Sequence, residues 1–131
     1  MSRDAIGDFL TIIRNGIARS KEFVVVPYSN MRFELAKILK EEGFINNFVV
    51  LETELSKRGL KLFFFYFDGE AAIHEIKRES TPGRRKYARA HDLKPVIGGL
   101  GVSILTTSSG IMTNKKAKEL KVGGEIVCTV W

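Results

Sequence analysis

The strongest constraint on the fold is a change of pattern near the C-terminus. An apolar stretch typical of a strand, Val102 to Leu105, runs into a hydroxyl-rich segment, Thr106 to Ser109. A short basic helix over Asn114 to Leu120 follows, and Gly123-Gly124 precedes a last strand, Glu125 to Val130. The hydroxyl segment, which we interpret as a loop, offers small hydrogen-bond donors and acceptors without a nucleophile–base pair. It therefore favours recognition over catalysis.

The first half of the chain predicts a helix–strand–helix–strand–strand order. Apolar residues at helical spacing from Ile6 to Ile17 predict the first helix, with Asp4 placed to cap it. A strand from Phe23 to Val26 follows and stops at Pro27. A second helix, which Ser29 or Asn30 caps, then ends at Gly43. The last two elements are antiparallel strands, Phe44 to Leu51 and Leu60 to Phe67, joined through residues 56–59.

The second half predicts a β-rich unit. Ile73 to Arg78 alternates apolar and polar residues, which is typical of a strand with one solvated face. A turn over residues 80–83 and a basic loop then lead to the C-terminal pattern, where Thr113 or Asn114 can cap the short helix. We therefore expect an α+β fold of two small lobes, an α/β lobe over residues 1–66 and a β-rich lobe over residues 67–131.

Composition bounds the compartment and the class. A chain of 131 residues can bury a stable core, and its one cysteine, Cys128, excludes an internal disulfide framework and fits a reducing compartment. The N-terminus lacks the apolar stretch of a signal peptide, and the longest apolar run, Leu62 to Phe67, is too short to span a bilayer. We expect a soluble, cytoplasmic protein without a membrane partner.

The net charge of +6 is unevenly placed. The basic segment, Lys77 to Lys94, holds seven basic residues and two acidic ones. Positive charge concentrated beside Pro82-Gly83 indicates a loop laid along phosphates. A solvated cationic loop that only aids solubility is the alternative from charge alone.

Enzymatic and metal sites find little support in the residues. His74 and His91 lack a nearby cysteine or a metal-binding spacing, and Cys128 lies in an apolar strand as a structural thiol would. Ser108 has no G-x-S-x-G context, and no phosphate-binding glycine motif is present. The sequence thus predicts a non-enzymatic protein with no cofactor and no metal.

The aromatic run from Phe63 to Phe67 permits two interpretations. A strand with two apolar faces is typically buried between a sheet and helices, and we interpret the run as core packing. Base stacking is the alternative, although Arg58-Gly59-Leu60-Lys61-Leu62 lacks the aromatic positions of an RNA-recognition motif.

The hydroxyl segment and Glu125 are the remaining candidates for function. Thr107 and Ser108 suit 2′-hydroxyls, phosphates and base edges of an irregular RNA helix. Glu125 can accept a hydrogen bond from a loop hydroxyl or amide, or from an exposed base. The alternative is that Thr107 and Ser108 only satisfy turn backbone and cap the helix, although nearby lysines favour RNA: Lys115, Lys116 and Lys118.

Four ordered blocks of the chain resemble the family of the eighth protein of the bacterial small ribosomal subunit. They are Asp4 to Asn15, Leu39 to Ile45, Ser80 to Tyr87 with the pattern S-x-P-G-x-R-x-Y, and Ile104 to Cys128 with the pattern T-T-S-x-G-x-M-T … G-G-E-I-x-C. The family's S-T-S falls on Thr106, Thr107 and Ser108, and Ser109 stands where a lysine is common. The resemblance covers essentially the whole chain.

The resemblance implies a two-lobed ribosomal protein that binds the central domain of small-subunit ribosomal RNA and helps assemble the platform. It implies contacts with neighbouring ribosomal proteins, notably the fifth and second, and in some bacteria translational repression through the protein's own operon messenger. Gly123, Gly124 and Glu125 would organise the RNA-binding loop. The implied RNA-binding residues are, in the C-terminal lobe, Thr106, Thr107, Ser108, Ser109, Arg84, Arg85, Lys86 and Tyr87, and in the N-terminal lobe, Thr11, Arg14, Asn15, Asn30 and Lys57.

Three other functions remain as alternatives. A stand-alone translational repressor would bind messenger RNA in preference to ribosomal RNA. A small hydrolase would need a histidine–carboxylate pair beside Ser108. A protein-interaction scaffold would bind RNA with an affinity that is nearly independent of salt.

Overall fold

The computed structural model describes residues 5–52 and 57–131. The predicted Asp4 cap and Ser56, the first residue of the predicted connection between the paired strands, lie outside these residues. Arg58 and Gly59, predicted as part of that connection, instead pair with Glu52 and Leu51 as strand residues. The helices of the described part are α1 (Ala5–Ala18), α2 (Asn30–Glu41) and α3 (Asn114–Leu120), with 3-10 turns at Ala90–Asp92 and Ile97–Gly99. Its strands are β1 (Phe23–Pro27), β2 (Ile45–Glu52), β3 (Arg58–Phe64), β4 (Tyr66–Phe67), β5 (Glu70–Ala71), β6 (Ile76–Arg78), β7 (Tyr87–Ala88), β8 (Val102–Thr107), β9 (Gly110–Thr113) and β10 (Gly124–Val130).

The predicted α+β class is confirmed, with antiparallel sheets in both parts of the chain. The chain divides into two compact units, residues 8–73 and residues 74–131 together with residues 5–7. We call these the N unit and the C unit. Independent lobes divided between residues 66 and 67 stay a prediction.

The N unit packs helices on one face of a three-stranded sheet in the order β1-β3-β2. Alternate residues of β1 and β3, such as Val26 and Leu62, are buried, while their neighbours point to the other face. α1 approaches the sheet closely at Gly16, where a Cβ atom would lie 2.8 Å from side-chain atoms of Val24 and Phe64.

Local sequence signals define α2 as predicted. The Ser29 side chain caps its N-terminus by accepting a hydrogen bond of 3.1 Å from the Arg32 amide, and Gly43 follows its C-terminus with φ of 80°. Arg32, which was not singled out in the sequence, is buried, and its guanidinium donates to the Pro27 carbonyl at 3.1 Å.

The prediction of one strand from Leu60 to Phe67 was wrong. β3 ends at Phe64, and Tyr66–Phe67 forms a separate small hairpin with Glu70–Ala71. The cause is Asp68-Gly69, whose φ values of 51° and 82° fit a two-residue hairpin turn that the sequence interpretation took as a shift in composition. The interpretation of the aromatic run as core packing holds for Phe64 and fails for Phe65 and Phe67, which are exposed.

The C unit is built on a sheet in the order β6-β10-β8-β9, with β7 paired to β10 as well. An irregularity of β10 between Ile126 and Cys128 separates its pairing with β7 from its pairing with β6. β6 begins at Ile76 and is thus shorter than the strand predicted from Ile73, but backbone bonds between Glu75 and Trp131 prolong the pairing.

α3 covers part of this sheet. Its Ala117 joins a core cluster with Leu93, Leu105 and Met112, and Thr113 caps its N-terminus as predicted by accepting from the Lys116 amide at 3.2 Å. Cys128 is buried, and burial raises the pKa of its thiol to about 12, with a smaller contribution from the Glu79 carboxylate. The predicted burial of this cysteine is confirmed.

Candidate nucleic-acid interface

A row of side chains crosses three adjacent strands of the C unit. Tyr87 of β7 pairs with Glu125 of β10, and Glu125 pairs in turn with Thr106 of β8. Paired residues of antiparallel strands project from the same face of a sheet, so these three side chains form one line, which we call the cross-strand row. Tyr87 is 72% exposed at one end of it. Sequence reasoning, which treated Tyr87 as part of a loop, missed the strand that places it there.

Gly123 and Gly124 allow the strands of the row to meet. A Cβ atom on Gly124 would lie 2.1 Å from the carbonyl oxygen of Thr106, and one on Gly123 would lie 2.3 Å from that of Ala88. Both distances are far shorter than a van der Waals contact, and both involve backbone atoms that cannot turn away. Any larger residue would therefore push β10 away from one of its neighbours.

Glu125 holds a guanidinium beside the row. Its Oε2 accepts a hydrogen bond of 3.0 Å from Nη1 of Arg85, and the side chains are 19% and 52% exposed, respectively. Such a charge-assisted bond fixes the direction in which the guanidinium points. The donor is thus a side chain of the basic segment in place of the predicted loop hydroxyl or amide, and a hydrogen bond from an exposed base to Glu125 stays a prediction.

A buried serine closes the loop that carries Arg84 and Arg85. The Ser80 hydroxyl accepts from the Lys86 amide at 2.9 Å and donates to the Lys86 carbonyl at 3.3 Å. Between Ser80 and Lys86, two backbone hydrogen bonds of 3.0 and 3.1 Å join Thr81 and Arg84 and form the predicted turn around Pro82-Gly83. Sequence reasoning missed this role of Ser80, although its place directly before T-P-G was the available signal.

The two cations next to the turn have different surroundings. The Lys86 ammonium lies 3.1 Å from Oε1 of Glu79, whose other carboxylate oxygen accepts from the Thr129 hydroxyl at 2.9 Å. Arg84 is exposed at the turn itself. Lys86 is thus tied to the C unit, while Arg84 is presented to solvent.

The hydroxyl segment lies in a β-hairpin. Only part of it is a turn, so the interpretation of the whole segment as a loop was wrong. β8 continues through Thr107 and β9 starts at Gly110, which leaves Ser108-Ser109 as a two-residue turn. The Thr107 hydroxyl donates to the Gly110 carbonyl at 2.8 Å and accepts from the Ser109 amide at 3.1 Å. Thr107 thus satisfies backbone groups of the turn, and its contact with RNA stays a prediction, while Ser108 and Ser109 are exposed.

Thr107→Val tests the role of Thr107 in this turn. The substitution keeps the shape of the side chain and removes both hydrogen bonds, so we expect the free energy of unfolding to fall by about 1 kcal/mol. Chemical denaturation measures the change. Thr106→Val, one residue earlier and outside the turn, is the matched control. Equal effects of the two variants would contradict the assignment.

The N-terminal candidates lie in the other unit. Thr11, Arg14 and Asn15 are exposed, and their spacing places them on one side of α1. Asn30 begins α2, and its Oδ1 accepts a bond of 3.2 Å from the Tyr28 hydroxyl. Lys57 is exposed just before β3. The three α1 residues form one stripe on that helix, whereas Asn30 belongs to α2 and Lys57 precedes β3.

Other kinds of site have less support in the described residues. Within them, no three metal-ligating side chains cluster, and no helix is long and apolar enough to cross a membrane. The histidine–carboxylate pair of the described part is His91 and Asp92, whose Nε2 and Oδ1 atoms lie 3.5 Å apart. Neither residue hydrogen-bonds Ser108 in the described part of the chain.

Comparison with known proteins gives the class of the chain. Three similar proteins are named small ribosomal subunit protein uS8. The one from Anaeromyxobacter sp. (strain K) is 44% identical over 128 residues, covering 98% of this chain and 97% of the relative. The one from Lawsonia intracellularis is 44% identical with full coverage of both, and the one from Halothermothrix orenii is 43% identical over 129 residues, covering 98% and 97%. Over nearly its whole length the chain is therefore similar to ribosomal proteins.

The family itself follows from a match to the ribosomal protein S8 family model, which covers residues 4–131. The chain belongs to the ribosomal protein S8 family. The resemblance seen in the four sequence blocks is thereby confirmed.

Proposed function

We propose that this chain binds the central domain of small-subunit ribosomal RNA and helps assemble the platform region of the subunit. The observation that carries the proposal is the cross-strand row with its neighbouring hairpin turn. Together they present an exposed tyrosine, a guanidinium held by a carboxylate and the exposed hydroxyls of the Ser108-Ser109 turn.

These groups suit an irregular RNA helix. Serine hydroxyls at the tip of a narrow hairpin can donate to and accept from 2′-hydroxyls in a shallow minor groove. An exposed tyrosine ring can stack on a base that is splayed out of the helix. Because the strand pairing of the hairpin, the Thr107 hydroxyl bond and the close approach at Gly123-Gly124 fix these groups beforehand, binding would require little further ordering of the protein.

The three cations of this segment would contribute differently to RNA binding. Glu125 balances the charge of Arg85, so Arg85 would add direction to binding more than net charge. Arg84, exposed at the turn, would neutralise a phosphate. Lys86 is already paired with Glu79 and would contribute less.

Arg84→Gln should flatten the salt dependence of RNA binding. Losing one phosphate contact lowers the slope of log affinity against log salt by about 0.9, and it should weaken binding to all RNAs alike. Lys86→Gln is the matched control in the same segment, with a smaller expected change in slope. Dissociation constants over a series of salt concentrations give both slopes. An unchanged slope for Arg84→Gln would remove that residue from the interface.

The N unit would contribute a second RNA contact. The exposed stripe of Thr11, Arg14 and Asn15 offers a hydroxyl, a guanidinium and an amide to a neighbouring stretch of RNA. Asn30 and Lys57 would be peripheral contacts. We also propose the fifth and second small-subunit proteins as neighbours, as the resemblance implies.

Binding to transcribed fragments of the ribosomal RNA tests the proposal. The full chain is mixed with the central-domain fragment, or with the 5′ or 3′ domain, in excess transfer RNA at fixed salt. We expect competitor-resistant binding to the central domain alone. Binding that the competitor abolishes would overturn the proposal. A leader fragment of the operon messenger, added as a further RNA, tests the autorepression that the resemblance implies.

A further inference from the structure

Within the described part of the chain, one face of the N-unit sheet carries exposed apolar side chains. On that face, Phe23 of β1 pairs with Phe63 of β3, and Val25 pairs with Lys61. Across β3, Asn47 and Val49 of β2 pair with the same two residues. We call these six residues the open sheet face. Phe23 is 41% exposed and Val25 52% exposed, although the opposite face of the sheet packs against the core.

Two aromatic rings and one ammonium group form the centre of the open sheet face. The ring centroids of Phe23 and Phe63 are 6.0 Å apart, with the ring planes inclined at 55°. Nζ of Lys61 lies 4.0 Å from the first centroid and 4.9 Å from the second. The lysine thus places its charge beside both rings, in a cation–π contact that a flexible side chain can exchange for another partner.

The chemistry of the face selects its occupant. Its six residues comprise four apolar side chains, one amide and one cation, with no carboxylate among them. An apolar protein surface that covered this face would bury the Lys61 charge without a counter-ion, which is costly. Single-stranded RNA offers both complements at once, since its bases stack on aromatic rings and its phosphates accept the ammonium.

We propose that the open sheet face binds unpaired nucleotides of RNA. One base stacks on Phe23 and another on Phe63, while the Lys61 ammonium moves from the rings to an adjoining phosphate. Asn47, in line with both rings, hydrogen-bonds a base edge. This contact lies in a different unit from the cross-strand row and does not require it.

The test uses the full chain and a fluorescein-labelled oligoadenylate of about ten nucleotides, a length typical of such binding sites. The double variant Phe23→Leu/Phe63→Leu keeps apolar side chains and removes the ring faces. We expect its affinity for the probe to fall about tenfold. Phe67→Leu is the matched control, since Phe67 is 76% exposed but lies in β4, outside the open sheet face. It should change the affinity less than twofold.

Three further readings keep the test decisive. Thermal unfolding of each variant checks the fold, and the single Phe23→Leu variant replaces the double one if the latter is unfolded. Lys61→Gln should reduce the slope of log affinity for the oligoadenylate against log salt concentration by about 0.7. Binding of the central-domain fragment by the wild-type chain is measured separately, and the double variant should lose the oligoadenylate whether or not that fragment is bound, so this proposal and the proposed function fail independently.

Two results would contradict the proposal. If the wild-type chain does not bind the oligoadenylate, RNA is the wrong occupant and a protein contact takes its place. If Phe67→Leu weakens binding as much as the double variant, aromatic stacking occurs elsewhere. Either result overturns the proposal.

Discussion

Gly124→Ala is expected to destabilise the C unit by about 3 kcal/mol and to abolish specific RNA binding. The added methyl group would lie 2.1 Å from the Thr106 carbonyl oxygen, so β8 and β10 would have to separate where their pairing begins. The same separation would move Glu125, and with it the guanidinium of Arg85, out of line with Thr106 and the hairpin turn. Chemical denaturation and binding to the central-domain fragment measure the two effects.

Gly83→Ala is the control for this prediction. No atom of residues 5–52 or 57–131 lies within 4 Å of a Cβ built on Gly83, and its φ is not in the left-handed region. The control should leave stability within about 0.5 kcal/mol of wild type. If Gly124→Ala were as mild as Gly83→Ala, the close approach of the strands would not be a requirement of the site.

Ser108→Ala is expected to weaken binding to the central-domain fragment by about 1–3 kcal/mol, roughly 5- to 150-fold in Kd. Ser108 is exposed at the hairpin turn, and the turn is held by Thr107, so the fold should not change. The loss would arise because a polar group of the RNA is left buried without its partner.

Ser108→Thr retains the hydroxyl and is the matched control. It should bind the fragment within a few-fold of wild type, and neither variant should alter the midpoint of thermal unfolding. Wild-type affinity of Ser108→Ala would mean that the hydroxyl of Ser108 does not contact RNA. Equal losses in both variants would assign the effect to the shape of the turn.

Local signals made much of the fold predictable. The caps and ends of α2 and α3 follow from residues within a few positions, such as Ser29, Gly43 and Thr113. β10 was predicted from its apolar pattern in the same way. The exposure of Phe65 and Phe67 was not predicted, because Asp68-Gly69 forms a hairpin turn where a single strand was expected.

The candidate site was predictable in its residue types and less so in its arrangement. The pairing of Arg85 with Glu125 joins positions 40 residues apart in the sequence, and β7 pairs with β10 at Gly124 and Glu125, which are equally distant. Neither contact leaves a periodic pattern in the sequence. The separate roles of Thr107 and Ser108 likewise depend on the exact length of the hairpin turn, which the hydroxyl-rich composition does not reveal.

Ultraviolet crosslinking of the full chain to the central-domain RNA fragment, followed by peptide mass spectrometry, tests the central claim most directly. The claim is that the cross-strand row and the Ser108-Ser109 turn form the RNA-binding surface of the C unit. We predict crosslinks at Tyr87 and within the hairpin, residues 105–112, that excess transfer RNA does not remove. Crosslinks confined to residues 8–73, with none between residues 84 and 112, would contradict it.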